Sequence, residues 1–157
     1  METLAPASTC RHTTIRIPTN RPTEFIDLTD RLDALVCEAG IRSGLVNVQA
    51  LHTTTAIVVN EHEPLLLSDF VTVLENIASR DEAYRHDDAA VRTVNVTDNE
   101  RINGHAHCQA LMLGPSACLN VLDGRLRLGR WQRVFLAEMD GPREREISIM
   151  ILGEGGR

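Results

Sequence analysis

The chain of 157 residues contains no lysine, so all 16 of its basic residues are arginines. Without lysine the protein has no Schiff-base residue, no lysine nucleophile and no P-loop lysine, which excludes several large classes of enzyme. The formal net charge is −6. This acidic balance argues against non-specific nucleic-acid binding, which relies on positive charge, so we expect no nucleic-acid partner.

Long apolar runs are also missing from the sequence. No run approaches the roughly 20 residues of a membrane span, and the N-terminal stretch METLAPASTCRHTT lacks the continuous apolar core of a signal peptide. We therefore expect no membrane association and a cytoplasmic location. The cysteines form no C-x-x-C pair, so we expect them to be reduced and largely buried: Cys10, Cys37, Cys108 and Cys118.

The length suits one domain, and we assign residues 13–153 to it, preceded by a flexible N-terminal segment at 1–12. Strand-like patterns cluster around two or three helices without regular βαβ alternation. This arrangement indicates an α+β fold in which a mixed or antiparallel sheet packs with the helices. The last third reads as a β-meander, with a hairpin turn at Asp123-Gly124 and a strand at RLRL.

Three segments have helical features. DLTDRLDALVCEAG has Thr29 as a candidate N-cap and Gly40 as a C-cap, and GHAHCQALML lies between Asn103 and Gly114. In EPLLLSDFVTVLENIASR, Pro64 suits the first turn. Its apolar residues recur at helical spacing, which predicts a buried face: Leu66, Phe70, Val73, Leu74 and Ile77. The polar segment between the last two helices contains a possible short strand at VRTVNV.

Titratable residues stand beside the buried strand patterns, where burial costs free energy unless each finds a partner. His52 precedes a strand, Glu61 ends it, and Asp69 lies on the polar side of the next helix; His86 and His107 follow. Imidazoles with one or two carboxylates suit a divalent transition metal. A second histidine, His105, cannot face the same way as His107 on a helix, and the local pattern leaves open which one takes part.

The arginines of GRLRLGRWQR, together with Arg143 and Arg145, are candidates for an anion site because guanidinium groups bind phosphate and carboxylate in a bidentate manner. For Arg125 and Arg127 a solvated sheet face is the better interpretation. For Trp131, the only tryptophan, we expect a place in the core.

Several segments together resemble the YjbQ family, whose members are often labelled secondary thiamine-phosphate synthases. They are GLVNVQALHTTTAIVVNE, YRHDD, NGHAHCQALMLGPS, DGRLRLGRWQRVFLAEMDGPRER and ISIMILG, and the resemblance runs from Thr13 to Gly153. Two positions differ from the family pattern: His105 stands where an aspartate is frequent, and Arg130 where a small residue is usual.

The resemblance implies a homotrimer with a polar cleft at or near the subunit interface, binding a small anionic or phosphorylated molecule. It implies a divalent metal, zinc being the best candidate, held by His52, His86 and His107, which selects His107 over His105. Glu61 and Asp69 are the implied catalytic residues. Asn60, Arg130 and Gln132 are the implied substrate-binding residues.

Two functions follow as hypotheses. The first is a metal-dependent transferase that joins a pyrimidine pyrophosphate to a thiazole phosphate, since a Lewis acid helps pyrophosphate to leave. The second is a trimeric module that binds a small anion or metabolite without efficient catalysis. A purely structural oligomer fits poorly, because it gives no reason to place so many titratable groups near buried segments.

Overall fold

Apolar and polar residues alternate along the strands, and this period-two pattern builds two antiparallel sheets. In the last strand, for example, Ile147, Ile149 and Ile151 are buried while the residues between them are partly exposed. The computed structural model describes residues 8–155. Within them the strands are β1 (Ser8–Pro18), β2 (Glu24–Asp27), β3 (Ile41–Ala50), β4 (Thr55–Glu61), β5 (Ser116–Leu122), β6 (Arg125–Leu126), β7 (Gln132–Glu138) and β8 (Glu144–Gly155).

The strands form a five-stranded sheet in the order β1-β8-β3-β5-β6 and a three-stranded sheet in the order β2-β7-β4. The helices are α1 (Thr29–Ala39), α2 (Pro64–Ile77) and α3 (Gly104–Leu113), with one 3-10 turn at Arg85–Asp87. Every strand pair is antiparallel. The predicted α+β class is therefore confirmed.

The three-stranded sheet is buried on both faces. Val134 and Leu136 of β7 join α1 and the inner face of the large sheet in the main core. The alternate residue Ala137 packs with Leu74 of α2 and Ala106 of α3 in a second cluster. This two-sided burial explains why β7 reads as a nearly continuous apolar run, and it places α2 and α3 on one side of the molecule.

The helix boundaries agree with the sequence signals. α1 ends at Gly40, whose φ of 66° is the left-handed conformation that glycine adopts without strain. α2 begins at Pro64, where the Glu63 carboxylate accepts hydrogen bonds from the backbone N–H groups of Leu65 and Leu66. The Asp123-Gly124 turn is present, with φ values of 53° and 79°.

Four local predictions are wrong. Val73 and Ile77 of α2 are exposed, because only Leu74 faces the second cluster fully. All four cysteines are exposed, although none forms a disulfide. No strand occurs at VRTVNV, and RLRL contributes only the two residues of β6. Within residues 8–155, these side chains and segments have no neighbour that would bury them or extend the predicted strand.

Part of the N-terminal segment belongs to the large sheet. β1 begins at Ser8 and pairs with β8 along its whole length, so residues 8–12 of the segment expected to be flexible are part of the large sheet. The first seven residues of that segment lie outside the described residues. Among residues 8–155, no helix has both the length and the apolar character to cross a membrane.

Candidate active site

The N-terminus of α3 fixes the contact between two histidines. Asp87 accepts hydrogen bonds from the backbone N–H groups of Asn103 and Gly104, each 3.0 Å from its Oδ1. A side chain at Gly104 would collide with Tyr84, so only glycine allows this close approach. Because Asp87 holds the 3-10 turn against α3, the ring of His86 lies 4.5 Å, centroid to centroid, from that of His107.

This histidine pair combines a lowered pKa, that of His107, with an unpaired ring nitrogen, that of His86. Burial, followed by the proximity of His86, lowers the pKa of His107 below its ordinary value of 6.5. The buried Nε2 atom of His86 has no hydrogen-bond partner in residues 8–155. A buried ring nitrogen without a partner costs free energy, so the pair is suited to accept a proton, a hydrogen bond or a metal ion.

His52 follows β3, in the turn that leads into β4. Its Nε2 accepts a hydrogen bond from the backbone N–H of Glu146, 2.8 Å away. Burial and the nearby Arg145 charge lower the pKa of His52. The neutral ring therefore carries its proton on Nδ1, because Nε2 serves as the acceptor.

A buried ion pair lies beneath His52. Arg145 is 2% exposed and Glu138 is fully buried. The guanidinium donates from Nε and Nη2 to the two carboxylate oxygens of Glu138, each over 2.6 Å, and from Nη2 to Thr54 Oγ1 over 2.9 Å. This bidentate geometry is the strong form of a charge-assisted hydrogen bond. Thr19 also donates to Glu138, so the carboxylate is fully engaged.

A second group of polar side chains surrounds Asp140. Arg143 donates from Nη2 to its Oδ2 over 2.6 Å, and Asn103 donates to the same oxygen over 2.9 Å. Arg101 approaches the other carboxylate oxygen at 3.6 Å and donates to the backbone oxygen of Asp140 over 2.8 Å. The Asp140 carboxylate therefore holds two arginines in place.

Arg92 organises the irregular segment between the 3-10 turn and α3. It donates to the backbone oxygens of His86 and Asn95 over 3.3 and 2.7 Å, and its Nη1 lies 2.8 Å from Glu100 Oε2. One partly buried guanidinium thus satisfies carbonyls that no strand or helix pairs. Segment 92–101 becomes a wall facing His52.

Most of these side chains line one open cavity of about 580 Å³, which we call the arginine–histidine cavity. Asp87 and Glu138 lie behind its wall. Its titratable lining consists of His52, His86, His107, Arg92, Arg101, Arg143, Arg145, Glu100 and Asp140. Four arginines face Glu100 and Asp140 in the wall, and Glu138 beneath the wall pairs with Arg145, so one positive formal charge remains in excess. A cavity of this kind favours a small anion, with neutral imidazoles available to it.

The sequence of residues 13–154 matches the profile of the family described as UPF0047 protein YjbQ-like. The chain belongs to this family. A UPF0047 protein from Methanothermobacter thermautotrophicus is 39% identical over 136 residues, covering 87% of each chain. The corresponding protein from Archaeoglobus fulgidus is 37% identical over 88% of this chain and 98% of its own.

Solved structures of the family have the same fold. A YbjQ-like protein of unknown function from Sulfolobus solfataricus superposes with a TM-score of 0.83 at 36% identity, covering 94% of this chain and 100% of its own. A hypothetical protein from Aeropyrum pernix gives 0.80 at 34% identity, covering 92% and 99%. These similarities support the fold and the family.

The structure brings together the three histidines that the family resemblance implies as ligands: His52, His86 and His107 all line the arginine–histidine cavity. His105, by contrast, is buried beside it and does not line it. Burial, followed by the Arg80 charge, lowers the pKa of His105.

The other predicted site residues lie elsewhere. Asn60, Glu61, Arg130 and Gln132 line a shallow groove with Trp131, here called the Trp131 groove. It is at the opposite end of β4, and the seven residues of that strand separate the two ends by roughly 20 Å. Asp69 is exposed on α2 and lines neither site.

Trp131 is not in the core, contrary to expectation: it is 61% exposed. It stands in the turn before β7, where the Arg130 guanidinium lies 4.6 Å from the centre of its ring. Arg125 and Arg127 are exposed, as a solvated sheet face requires.

The three cavity histidines fit a metal ion only in part. The partner-free Nε2 of His86 and the adjacent His107 ring suit two ligand positions. His52 offers no free lone pair, because its Nε2 accepts from Glu146 and its Nδ1 carries the proton. Within residues 8–155, no three histidine, cysteine or acidic side chains gather into a group that could hold a metal. The described residues thus fit part of a metal site, and the three-histidine centre stays a prediction.

Sequence reasoning missed several residues of the cavity, namely Arg92, Arg101, Asn103, Glu100 and Asp140. Arg143 and Arg145, which the sequence indicates as candidates for an anion site, do line the cavity. The signal that was available for Asp140 is its place in the DGPRER run, between two strands and beside those arginines. For Arg92 and Arg101 the irregular segment has no periodicity to indicate which side chains point inward.

Proposed function

We propose that the arginine–histidine cavity binds a small phosphorylated or otherwise anionic molecule and is the active site of a metal-dependent transferase. The observation that carries the proposal is the meeting of Arg143 and Arg145 with three imidazoles in one cavity. Arginine binds phosphate oxygens in a bidentate manner, and neutral imidazoles supply lone pairs for proton or metal chemistry.

The two imidazoles in contact would hold the metal. His86 and His107 would provide two nitrogens, and His52 would have to give up its hydrogen bond with Glu146 to become the third ligand through Nε2. A bound divalent ion such as zinc would act as a Lewis acid toward a departing pyrophosphate. The arginines would orient the phosphate groups and compensate their charge, while the Arg145–Glu138 pair keeps the floor of the cavity rigid.

Calorimetric titration with inorganic pyrophosphate tests the anion site. Arg143→Gln removes a charged donor from the cavity, and we expect the affinity to fall about 10-fold or more, since a hydrogen bond to a charged group contributes roughly 1.5–3 kcal/mol. Arg127→Gln, on the solvated face, is the matched control and should leave the affinity unchanged. Equal affinities in the two variants would remove the anion site from the proposal.

Elemental analysis of the tag-free protein tests the metal. We expect about one zinc per subunit in the wild type, and loss of zinc in His107→Ala and His86→Ala. His12→Ala is the matched control because His12 is exposed, far along β1, and bonded to Ser148. Normal metal content and activity in His107→Ala would overturn the metal-dependent enzyme.

The reaction to assay first is the joining of a pyrimidine pyrophosphate to a thiazole phosphate with release of pyrophosphate. Turnover that depends on His107 and on added zinc would support the transferase. Turnover that survives His107→Ala would come from another site.

A binding module without efficient catalysis is the second candidate. The observation that favours it is that the four cavity arginines already have carboxylate partners, which makes a stable receptor for a weakly held anion. Specific stabilisation in a thermal-shift assay without turnover of any tested substrate would select this module over the transferase.

We also propose a homotrimer in a reducing, cytoplasmic compartment. Large apolar side chains are exposed on the side of α2 and α3, among them Leu65, Val73, Ile77, Leu111 and Met112. Contiguous exposed apolar surface is typical of an interface between subunits. Light scattering after size-exclusion chromatography should give three times the mass of 17.4 kDa; a monomer would contradict the trimer. The free exposed cysteines support the compartment.

A further inference from the structure

A second cavity, of about 460 Å³, lies where β2 and α2 meet, away from the arginine–histidine cavity. Four of its nine lining residues are apolar and come from both elements: Phe25, Pro64, Leu67 and Val71. The polar residues at it are Arg21, Thr23, Glu24, His62 and Ser68. None of these belongs to the site already described. We call it the His62 cavity.

One carboxylate orients the histidine of this cavity. Asp27, at the end of β2, has a side chain that is only 14% exposed. Its Oδ2 lies 2.7 Å from Arg133 Nε and 2.9 Å from His62 Nδ1, while its Oδ1 accepts from the backbone N–H of Thr29 over 2.9 Å. Three donors therefore converge on Asp27, and one of them is an arginine that stays charged.

The charge state of Asp27 follows from these contacts. Burial alone would raise the pKa of its carboxyl group, but the hydrogen bonds from Arg133, Thr29 and His62 outweigh burial and lower the pKa to about 2. Asp27 is thus ionised near neutral pH and can only accept hydrogen bonds.

The tautomer of His62 is determined by its partner. Because an ionised carboxylate has no proton to donate, the proton between Asp27 and His62 belongs to Nδ1. The neutral ring then presents the lone pair of Nε2. The imidazole also packs edge-on against the fully buried Phe135 ring, 5.3 Å between centroids, so its orientation is held from two sides. In residues 8–155 the ring makes no other hydrogen bond.

We propose that the His62 cavity is a second ligand site, which takes a small molecule with an apolar body through a hydroxyl group that donates to His62 Nε2. A carboxylate that fixes the tautomer of a histidine and leaves its other nitrogen open is the arrangement that proteins use to make imidazole a directed acceptor. The apolar wall provides the contact area for the body of the ligand.

The charges at the cavity select an uncharged ligand. Arg21 and Glu24 balance each other in formal charge. The N-terminus of α2 is not available to an anion, because the Glu63 carboxylate already accepts from Leu65 and Leu66. A neutral aromatic or aliphatic alcohol therefore matches the site, whereas the arginine–histidine cavity selects for anions.

The tautomer is tested by long-range ¹H–¹⁵N NMR of the histidine rings at pH 8. We expect the His62 ring to carry its proton on Nδ1 rather than on Nε2, and Asp27→Asn to abolish this preference, since an amide donates as well as accepts. A His62 ring protonated on Nε2 in the wild type would overturn the proposal. This readout does not depend on any ligand or on the anion site.

Ligand binding is tested with phenol and anisole, which differ in that anisole has no hydroxyl donor. Titrations followed by backbone amide shifts, which the wild type and the variants share, should show phenol binding to the wild type in about the millimolar range. Phenol should bind roughly fivefold tighter than anisole, as a net hydrogen bond of about 1 kcal/mol implies. His62→Phe keeps an aromatic ring, removes the acceptor and should abolish the difference between the two ligands.

His12→Phe is the matched control. His12 is exposed and its Nε2 is already bonded to Ser148 Oγ over 2.9 Å, so this variant should keep the preference for phenol. Equal affinities of phenol and anisole for the wild type, an undiminished preference in His62→Phe, or no phenol-induced shift at His62 would each overturn the proposal. Wild-type affinity for pyrophosphate in His62→Phe would show that the two sites are separate.

Discussion

The two ends of the β4–β7 strand pair differ in how their polar side chains are held. At the end where Thr55 pairs with Glu138, the polar groups are buried, bonded to one another and gathered around the arginine–histidine cavity. At the end where Glu61 pairs with Gln132, they are exposed around Trp131 in an open groove. The same two strands carry a preorganised site at one end and a solvated rim at the other.

This difference shows that residues close in sequence act at separate places when a strand runs between them. His52 and Glu61 belong to one short motif, but they lie at opposite ends of β4, which are roughly 20 Å apart. His52, His86 and Arg145 come from distant parts of the chain and line one cavity. Antiparallel pairing thus groups residues from the same end of several strands rather than from one motif.

The largest expected effect concerns the buried ion pair. Arg145→Met leaves the Glu138 carboxylate buried without its partner, and we expect the free energy of unfolding to fall by about 3–5 kcal/mol in urea denaturation. Arg130→Met, at the exposed end, should cost no more than about 1 kcal/mol, the contribution of an exposed cation–π contact.

A double variant checks the cause of that loss. Replacing the pair together, with Arg145→Met and Glu138→Leu, should recover much of the stability, because no buried charge is left unpaired. Similar losses for Arg145→Met and Arg130→Met would remove the contrast between the two ends.

The second effect concerns Asp27, whose partners Arg133 and His62 lie toward the exposed end. Its pKa is about 2 in the folded protein against an ordinary value of 3.8. A lowered carboxyl pKa stabilises the fold above about pH 4, and this stabilisation is lost as the pH falls through about 2. Asp27→Asn should therefore cost about 2 kcal/mol at pH 7 and almost nothing at pH 2. A loss that does not change with pH would contradict this linkage.

The third effect is a pH dependence at the cavity end. The pKa of His107 is lowered in the folded protein, so the unfolded chain takes up the proton first as the pH falls below about 6.5. Stability from this group is complete above that pH and declines toward pH 5. His107→Asn, measured without metal in EDTA, should flatten the decline, by less than the Asp27 effect. The exposed His12→Asn is the control.

The smallest expected effect tests whether the two ends are functionally separate within one chain. Glu61→Gln and Gln132→Ala lie in the Trp131 groove, so their affinity for pyrophosphate should stay within about twofold of the wild type. A decrease of fivefold or more would mean that the groove of one subunit contributes to the cavity of another, and the separation would fail in the assembled protein.

Part of this site was predictable from the family resemblance, which selects His107 where the local pattern leaves His105 and His107 open. His52, His86 and His107 were identified as one group, and they share a cavity because each follows or begins an element at the same end of the fold. Asn60, Glu61, Arg130 and Gln132 were predicted to share the site of the histidines, and in this chain they lie together in a different place. Asp69 joins neither group, because the polar side of a helix gives no direction toward a site.

The sequence alone determined the local elements of this protein and its α+β class. Alternation produces the strands, Pro64 and Gly40 mark helix ends, and Asp123-Gly124 makes the hairpin turn, because these signals depend on neighbouring backbone geometry. Only the tertiary structure decided which polar groups meet. The Arg145–Glu138 pair, the His86–His107 contact and the Asp27–His62 pair each depend on strand register or helix docking. Such contacts join residues across space, and no local pattern specifies that distance.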